Sequence, residues 1–241
     1  MTVVAIHQPQ YLPWIPYFAK AASSDVFVYL DNVQFQKNGV QNRNQIKTPN
    51  GPVWLTVPVR TSLQTTIQDT EIDQTQSWRQ KHLRSIEHAY SRAPHKELVE
   101  TGLRQVLESD WNRLGDLNIA LSEWMFDQLG VKCKRIRASE LDVKGKKDDL
   151  VIDICRTVGA KTYLSGHGAK DYQDKLKFNA KGIQLEYLKY ELQTYTQCWP
   201  KHEFIKDLSA LDLILNAGKE SIKIMQLGMR TNEWQCKQHK G

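Results

Sequence analysis

Three polar segments of the sequence carry the side chains best suited to chemistry, and the first begins at His7. His7, Gln8, Gln10 and Tyr11 follow a short β-branched run directly, in the order HQPQY. A histidine at this place can act as a general base near neutral pH or donate to a phosphate. The alternative is a ring that only caps the turn. The density of polar side chains favours a bound polar ligand, and we predict His7 as catalytic and Gln8, Gln10 and Tyr11 as substrate-binding.

The second polar segment follows the next apolar run and extends from Asp31 to Lys47. It combines a carboxylate, amides and cations, which suit hydrogen bonding to a sugar or a phosphate. We predict Asp31 as a second catalytic residue. The predicted substrate-binding residues of this segment are Gln34, Lys37, Asn42, Arg43 and Asn44. The alternative is a solvated loop and hairpin edge, which we prefer for Lys47.

The third segment, SGHGAKDY, spans residues 165–172 and follows another apolar run. Small residues at the start of a helix let backbone amides approach an anion, and Lys170 adds positive charge. We predict Ser165, Gly166, Lys170 and Tyr172 as substrate-binding, although glycine turns between a strand and a helix are common. Asp212, further on, is either a buried polar anchor or a site residue.

No metal site is predicted. His82 and His88 are six residues apart, off the four-residue spacing of a helical zinc pair. The four cysteines are far apart and form no C-x-x-C pair, which indicates a reducing cytosol and no disulfide framework. We therefore expect a cytoplasmic protein without a signal peptide.

The elements that must position these segments alternate between strand and helix. A strand at 3–7, a helix at 14–22 and a strand at 25–30 form a βαβ unit. Asn50-Gly51 lies between two β-rich runs and predicts a hairpin. Further strands are predicted at 67–72, 131–136, 161–164 and 183–188, and helices at 148–158 and 204–216. Helical stripes fill the stretch from about 76 to 129, and residues 231–241 are predicted to be a loosely held tail.

This alternation predicts an α/β fold with a doubly wound, mostly parallel sheet. We expect one domain over residues 1–241, with a β-hairpin insertion at about 41–59 and a helical insertion at about 76–129. In such sheets ligands bind beyond the carboxyl ends of the strands. The three polar segments should therefore converge there.

The net charge of +6 fits an anionic partner and an ordinary basic surface about equally well. Because no nucleic-acid motif or run of basic residues is present, we expect a phosphorylated small molecule rather than a polymer. No apolar run approaches the roughly 20 residues of a membrane span.

With these residues in view, the chain resembles the WbqC-like protein family over nearly its whole length. The matching stretches are HQPQYLPWIPYFAKAASSDVFVYLDNVQF, QNRNQIKTPNGPVWLTVPV, GAKTYLSGHGAKDY, YTQ and LSALDLILNAG. The resemblance implies an association with bacterial O-antigen and other surface-polysaccharide biosynthesis. A more distant similarity, to Rossmann-like nucleotidyltransferases, implies a fold of that type. Those proteins carry His-x-x-His after the first strand, whereas this chain has Gln10 at the second position, which argues against nucleotidyl transfer because glutamine carries no positive charge.

From the resemblance we expect a transferase that places an acyl or aminoacyl group on a nucleotide-linked amino sugar. The donor would be an acyl thioester, carried by coenzyme A or by an acyl carrier protein, and a nucleotide would enter as part of the substrate. Two alternatives remain open. One is nucleotidyl transfer to a sugar phosphate or acyl substrate, and the other is a non-catalytic partner of sugar-modifying enzymes.

Overall fold

The computed structural model describes residues 2–229, which form nine strands and eight α-helices. The strands are β1 (Val3–His7), β2 (Val26–Tyr29), β3 (Arg43–Thr48), β4 (Gly51–Thr56), β5 (Val59–Arg60), β6 (Glu71–Ile72), β7 (Lys134–Arg137), β8 (Thr162–Ser165) and β9 (Gln184–Tyr187). The helices are α1 (Ile15–Ala22), α2 (Trp78–Ala89), α3 (Arg104–Glu108), α4 (Leu114–Leu129), α5 (Asp148–Thr157), α6 (Lys175–Asn179), α7 (Ala210–Ala217) and α8 (Ser221–Leu227). The predicted C-terminal tail, 231–241, lies outside the described residues.

The central sheet contains five parallel strands in the order β7-β2-β1-β8-β9. Counted along the chain, this is the order 3-2-1-4-5 of the first strands of a Rossmann sheet. Ala5 on β1 lies opposite Phe27 on β2 and Leu164 on β8, so β1 is the middle strand. The predicted α/β, Rossmann-like, mostly parallel fold is confirmed.

Helices cover both faces of this sheet, which is why the inner strands β1, β2 and β8 are buried almost throughout, whereas the edge strands β7 (KRIR) and β9 (QLEY) carry charged and polar side chains. On one face Ala5 and Phe27 pack with residues of α1 and α4, where the rings of Phe18 and Phe126 lie 4.8 Å apart. On the other face Val4, Ile6 and Val28 pack against α5 and α6. Alternate residues of β1 therefore enter two separate cores, and His7 is in line with Ala5 on the α1 side.

The segment between β2 and β7 holds the two additions to the sheet. β3 and β4 form an antiparallel hairpin, with Thr48 opposite Gly51 across the Pro49-Asn50 turn. Gly51 has a φ of 103°, a conformation that side chains rarely adopt. The hairpin lies within the predicted range 41–59, and α2, α3 and α4 lie within 76–129. The assignment of one domain with two insertions stays a prediction.

The strand predicted at 67–72 and the helix predicted at 204–216 are shorter in the structure. The strand predicted at 67–72 is reduced to Glu71–Ile72, paired with β5. The helix predicted from residue 204 begins only at Ala210, because the Ser209 hydroxyl accepts the Leu211 amide and caps the helix there. Within residues 2–229 no helix has the length and apolar character needed to cross a bilayer.

Candidate functional site

The site lies at the carboxyl ends of β1 and β8, where the order of the sheet changes direction. β1 pairs with β2 on one side and β8 on the other, so His7 and Ser165 border the same end of the sheet. In open α/β sheets the crevice at this switch point is where ligands bind. The backbone N–H of Leu30 donates to the His7 carbonyl at 2.8 Å, which brings the loop after β2 to the same place.

His7 is half-buried, and its ring is fixed by two contacts. Its Nδ1 lies 3.1 Å from the Gln8 carbonyl oxygen, and its ring centroid is 4.8 Å from that of Tyr17. Because a carbonyl can only accept, Nδ1 carries the proton of the neutral ring and Nε2 carries the lone pair. Burial, and secondly the charge of Lys20, hold the pKa of His7 well below 6.5. At neutral pH the ring is therefore a proton acceptor at Nε2.

Lys20 is the neighbour of His7 that the sequence analysis missed. It lies on α1 with only 4% of its surface exposed, and its Nζ donates to the Ile6 carbonyl at 2.9 Å. Burial lowers the pKa of this ammonium group to about 7. The sequence did carry a signal for this burial, because Lys20 lies inside the otherwise apolar stretch YFAKAA.

The loop after β1 is held from beneath by two amides that the sequence analysis did not single out. Gln41 Nε2 donates to Gln8 Oε1 at 2.8 Å, while Gln41 Oε1 accepts the Gln36 amide at 2.7 Å. Asn118 Nδ2, on α4, donates to the Gln41 carbonyl at 2.7 Å and to the Pro9 carbonyl at 3.4 Å. The hairpin entrance and α4 thus fix the loop that carries Gln8 and Gln10.

Three amide oxygens around this loop are buried and lack a donor among the described residues: Gln10 Oε1, Asn42 Oδ1 and Asn118 Oδ1. Each of these side chains is at least nine-tenths buried. They are neighbours, because Asn118 binds the carbonyls of Pro9 and Gln41, the residues that precede Gln10 and Asn42. An unpaired buried acceptor costs about 1–3 kcal/mol, so a ligand group that donates to one of these oxygens would recover part of that free energy. Asn42 also donates to the Val57 carbonyl at 2.9 Å.

Asp31 is held by the turn after β7. It is 1% exposed, and its Oδ1 and Oδ2 accept the Ser139 amide at 2.9 Å and the Ser139 hydroxyl at 2.7 Å. These bonds join the ends of β2 and β7. The contacts are those of a structural anchor, and the catalytic role of Asp31 stays a prediction.

The other residues predicted from the second segment are spread over several surroundings. The Arg43 guanidinium lies 4.6 Å above the ring of Trp54, and Asn44 Nδ2 donates to the Leu12 carbonyl at 2.6 Å. Gln34 and Lys37 are exposed, and Gln34 Nε2 bonds to the Leu63 carbonyl. Of the two predicted cations in this segment, Arg43 is nearer in sequence to Gln41, whose side chain contacts the site loop.

Tyr11 differs from its neighbours in the HQPQY segment because it is entirely buried. Its hydroxyl is 2.8 Å from His82 Nδ1, and its amide donates to the Val40 carbonyl at 3.1 Å. Burial lowers the pKa of His82 to about 4, so this histidine is neutral as well. The Tyr11–His82 hydrogen bond joins the loop after β1 to α2, and the substrate-binding role of Tyr11 stays a prediction.

The third segment departs from its predicted conformation. Ser165 is buried and Gly166 half-buried, but the chain then makes a single 3-10 turn (His167–Ala169) instead of an α-helix. α6 begins later, and the Asp174 carboxylate accepts the Leu176 and Lys177 amides at its start. The helix therefore starts later than expected, at an end capped by a negative charge, and the substrate-binding roles of Ser165, Gly166, Lys170 and Tyr172 stay predictions. Lys170 and Tyr172 are exposed beside the turn.

The phosphate position of many Rossmann proteins, at the start of α1, is closed here. Pro16 has no N–H to offer, the Ala210 amide donates to the Pro13 carbonyl at 2.8 Å, and Trp14 bridges to Ser209. A wide hollow of about 490 Å³ lies at the opposite end of the sheet, beside Lys161 and Gln184. It is remote from His7, so the side chains and the topology, rather than the size of a hollow, identify the site.

A second buried polar cluster lies away from His7, between the hairpin and α7. Asp212 is fully buried, and its Oδ2 accepts the Tyr195 hydroxyl at 2.8 Å. Burial raises the pKa of Asp212 to about 6, although the Tyr195 hydrogen bond and the Lys47 charge act against this. Lys47 is 1% exposed, so its predicted place on a solvated edge is wrong. The matching YTQ and LDL stretches meet in this cluster, which supports the interpretation of Asp212 as an anchor.

Among residues 2–229 no three His, Cys, Asp or Glu side chains come together in a way that would hold a metal ion. The parallel sheet and the polar site at its switch point define a Rossmann-like α/β protein. The chain belongs to the WbqC-like protein family, whose profile matches residues 8–224. This membership suggests a role associated with polysaccharide biosynthesis.

A curated relative, the uncharacterized protein Rv1507c of Mycobacterium tuberculosis (strain ATCC 25618 / H37Rv), is 32% identical over 225 residues. The aligned part covers 92% of this chain and 96% of the relative. No solved structure matches the chain significantly.

Proposed function

We propose that the protein is a cytoplasmic transferase of surface-polysaccharide biosynthesis that moves an acyl or aminoacyl group onto a nucleotide-linked amino sugar. The observation that carries the proposal is the neutral His7 ring, with Nε2 unprotonated, at the carboxyl end of the middle strand. A base at a switch-point crevice is suited to accept a proton from a bound small molecule.

The buried amides supply the binding chemistry for the sugar. Gln10, Asn42 and Asn118 offer carbonyl oxygens, which accept hydrogen bonds from hydroxyl and amino groups. Arg43 and Lys170 supply positive charge at the surface for the phosphates of the nucleotide. Because the start of α1 is closed, the phosphates would lie toward the turn after Ser165 instead.

The proposed reaction makes one bond and breaks one. The sugar amine attacks the carbonyl carbon of the acyl thioester, and the nitrogen of the tetrahedral adduct becomes positively charged and strongly acidic. His7 Nε2 accepts its proton even though the ring is a weak base, the carbon–sulfur bond breaks, and the leaving thiolate takes up the proton. The acyl donor, coenzyme A or carrier-bound, is inferred from the association of the family with sugar modification.

A screen of ligands distinguishes this proposal from its alternatives. Unfolding temperature is measured with UDP-N-acetylglucosamine, UDP-glucose, acetyl-coenzyme A and ATP, each at up to 5 mM. A ligand at about 100 times its dissociation constant stabilises by roughly 2.7 kcal/mol, or about 5–10 °C for a chain of this size. Stabilisation by a nucleotide sugar or by the thioester supports acyl transfer. Stabilisation by ATP alone favours nucleotidyl transfer, and no response to any ligand favours a non-catalytic partner.

The screen is repeated with His7→Ala and with His88→Ala as the matched control. His88 is an exposed histidine on α2, outside the site. If both variants still respond to the ligand and His7→Ala transfers the acyl group as fast as the wild type, His7 is not part of the site and the proposal is contradicted.

A further inference from the structure

Lys20 is a buried cation without a carboxylate partner among the described residues. Its ammonium group donates to one carbonyl, that of Ile6, the residue directly before His7. Its side chain is almost fully buried in α1, between apolar residues that face the same core. A buried lysine in such surroundings is energetically unfavourable, so its retention beside the site calls for a role.

The other ionisable groups near His7 are tyrosines and a carboxylate that is paired with its own arginine. Tyr17 lies on the same helix, and Tyr29 is opposite His7 across the β1–β2 pair. Behind Tyr29, Glu123 accepts its hydroxyl at 2.7 Å and pairs with Arg135 at 2.7 Å. The carboxylate of Glu123 is therefore engaged by two donors and balanced by its own arginine.

We propose that Lys20 is a positioning residue that keeps the His7 imidazole neutral and drives the accepted proton back off the ring. The proposal rests on the proposed role of His7 as the base of the transfer. The Lys20 ammonium is held against the carbonyl of the residue that precedes His7, and a positive charge there repels a second positive charge on the imidazole. The lysine thus adds to the effect of burial in keeping Nε2 free at the start of each cycle, and it favours transfer of the proton from the imidazolium to the leaving thiolate.

A weak base at His7, as the charge of Lys20 favours, also suits the reaction itself. The tetrahedral adduct is acidic enough to protonate a weak base, and the thiolate that leaves is basic enough to take the proton on. A more basic histidine would hold the proton and slow the second transfer. Lys20 is buried and His7 is half-buried, which strengthens the effect because water screens the charges poorly there.

The test is an NMR titration of the His7 ring between pH 4.5 and 9 in the wild type, in Lys20→Met and in Lys81→Met. Lys81 is exposed on α2, outside the site, and serves as the control. We expect the His7 pKa to rise by about one unit or more in Lys20→Met, a tenfold change in proton affinity, and to stay unchanged in Lys81→Met. Lys20→Arg, which keeps the charge, should keep the low value. An unchanged His7 pKa in Lys20→Met overturns the proposal.

A second measurement needs no variant and covers the case in which Lys20→Met does not fold. In the wild type the His7 ring signals should show an additional inflection near pH 7, where Lys20 ionises, because coupled groups report each other's titration. Absence of that inflection overturns the proposal equally. Both measurements are made without substrate, so they fail or succeed independently of the transferase activity. With activity in hand, the acid limb of kcat/KM should move to higher pH in Lys20→Met by the same amount as the His7 pKa.

Discussion

The ammonium group of Lys47 lies 3.2 Å from the side-chain oxygen of Gln197, a residue 150 positions further along the chain. The same Nζ donates to the carbonyls of His202 at 3.1 Å and Glu203 at 3.2 Å. All three hydrogens of a buried cation are thereby directed to oxygens of one C-terminal segment. The bond between hairpin and segment is a structural connection of the kind that is destabilising to break.

Lys47→Met should lower the free energy of unfolding by about 3–5 kcal/mol, since it removes the donor shared by three oxygens and the positive charge near Asp212. Urea denaturation followed by tryptophan fluorescence measures the change. Lys37→Met, at an exposed position, should stay within about 0.5 kcal/mol of the wild type. Equal stability of the two variants would mean that the Lys47 contacts contribute little.

Asp31→Ala should destabilise the protein by about 2–3 kcal/mol, because a buried carboxylate that holds two Ser139 donors is lost. Ser139→Ala removes one of the two bonds and should lower stability by only about 1 kcal/mol. Transfer by the folded fraction of either variant should be unchanged. If Asp31→Asn folds stably and yet loses about 100-fold in turnover, the catalytic prediction for Asp31 is correct instead.

His7→Ala should lower turnover by about 10²–10⁴-fold, the usual contribution of a general base, while the protein stays folded. His7→Gln separates binding from proton transfer, since glutamine forms hydrogen bonds but does not take up a proton at neutral pH. Both variants should be inactive if His7 is the base. Activity in the glutamine variant alone would assign His7 to binding.

The stability of the wild type relative to Lys20→Met should depend on pH. The pKa of Lys20 is about 7 in the folded protein and 10.5 as an ordinary lysine, so between these values the unfolded chain holds a proton that the folded chain lacks. Stability therefore rises with pH over this range, and the methionine variant lacks the rise. The free energy of unfolding of Lys20→Met, taken relative to that of the wild type, should fall by about 2 kcal/mol from pH 7 to pH 9, as measured by urea unfolding at both values.

Asp212 should give the opposite trend at lower pH. Its pKa is about 6 when folded and 3.8 as an ordinary aspartate, so between pH 4 and 6 the folded chain holds the extra proton. This contribution to stability is lost as the pH rises through 6. The difference between the wild type and Asp212→Asn should change by about 2–3 kcal/mol between pH 4 and 7. A constant difference across that range would show that Asp212 titrates normally.

The strand pattern was predictable because burial on both faces leaves a continuous apolar run, as in VVAIH and VFVY. The position of His7 followed from the end of such a run. The convergence of the loops after β1, β2 and β8 followed from parallel pairing, which places carboxyl ends at one edge. These features depend on local sequence patterns and on general rules of sheet topology, so a single sequence is enough to predict them.

The partners of the site loop could not be predicted, because they come from distant parts of the chain. Asn118 belongs to an apolar helical stripe, and nothing local indicates that its amide reaches the Pro9 carbonyl. The burial of Lys47 depends on residues 197–203, which no pattern connects with the hairpin. The helix expected to open within residues 165–172 begins only at Lys175, because Asp174 caps it there.

The central position of β1 has a consequence for synthesis on the ribosome. β1 emerges about 155 residues before its neighbour β8, and until β8 follows, one apolar edge of β1 has no native partner. An unpaired apolar edge is open to association with other chains. A nascent chain of this protein should therefore depend on ribosome-associated chaperones until residue 165 has left the exit tunnel. A chain truncated before β8 should aggregate rather than form a smaller folded unit.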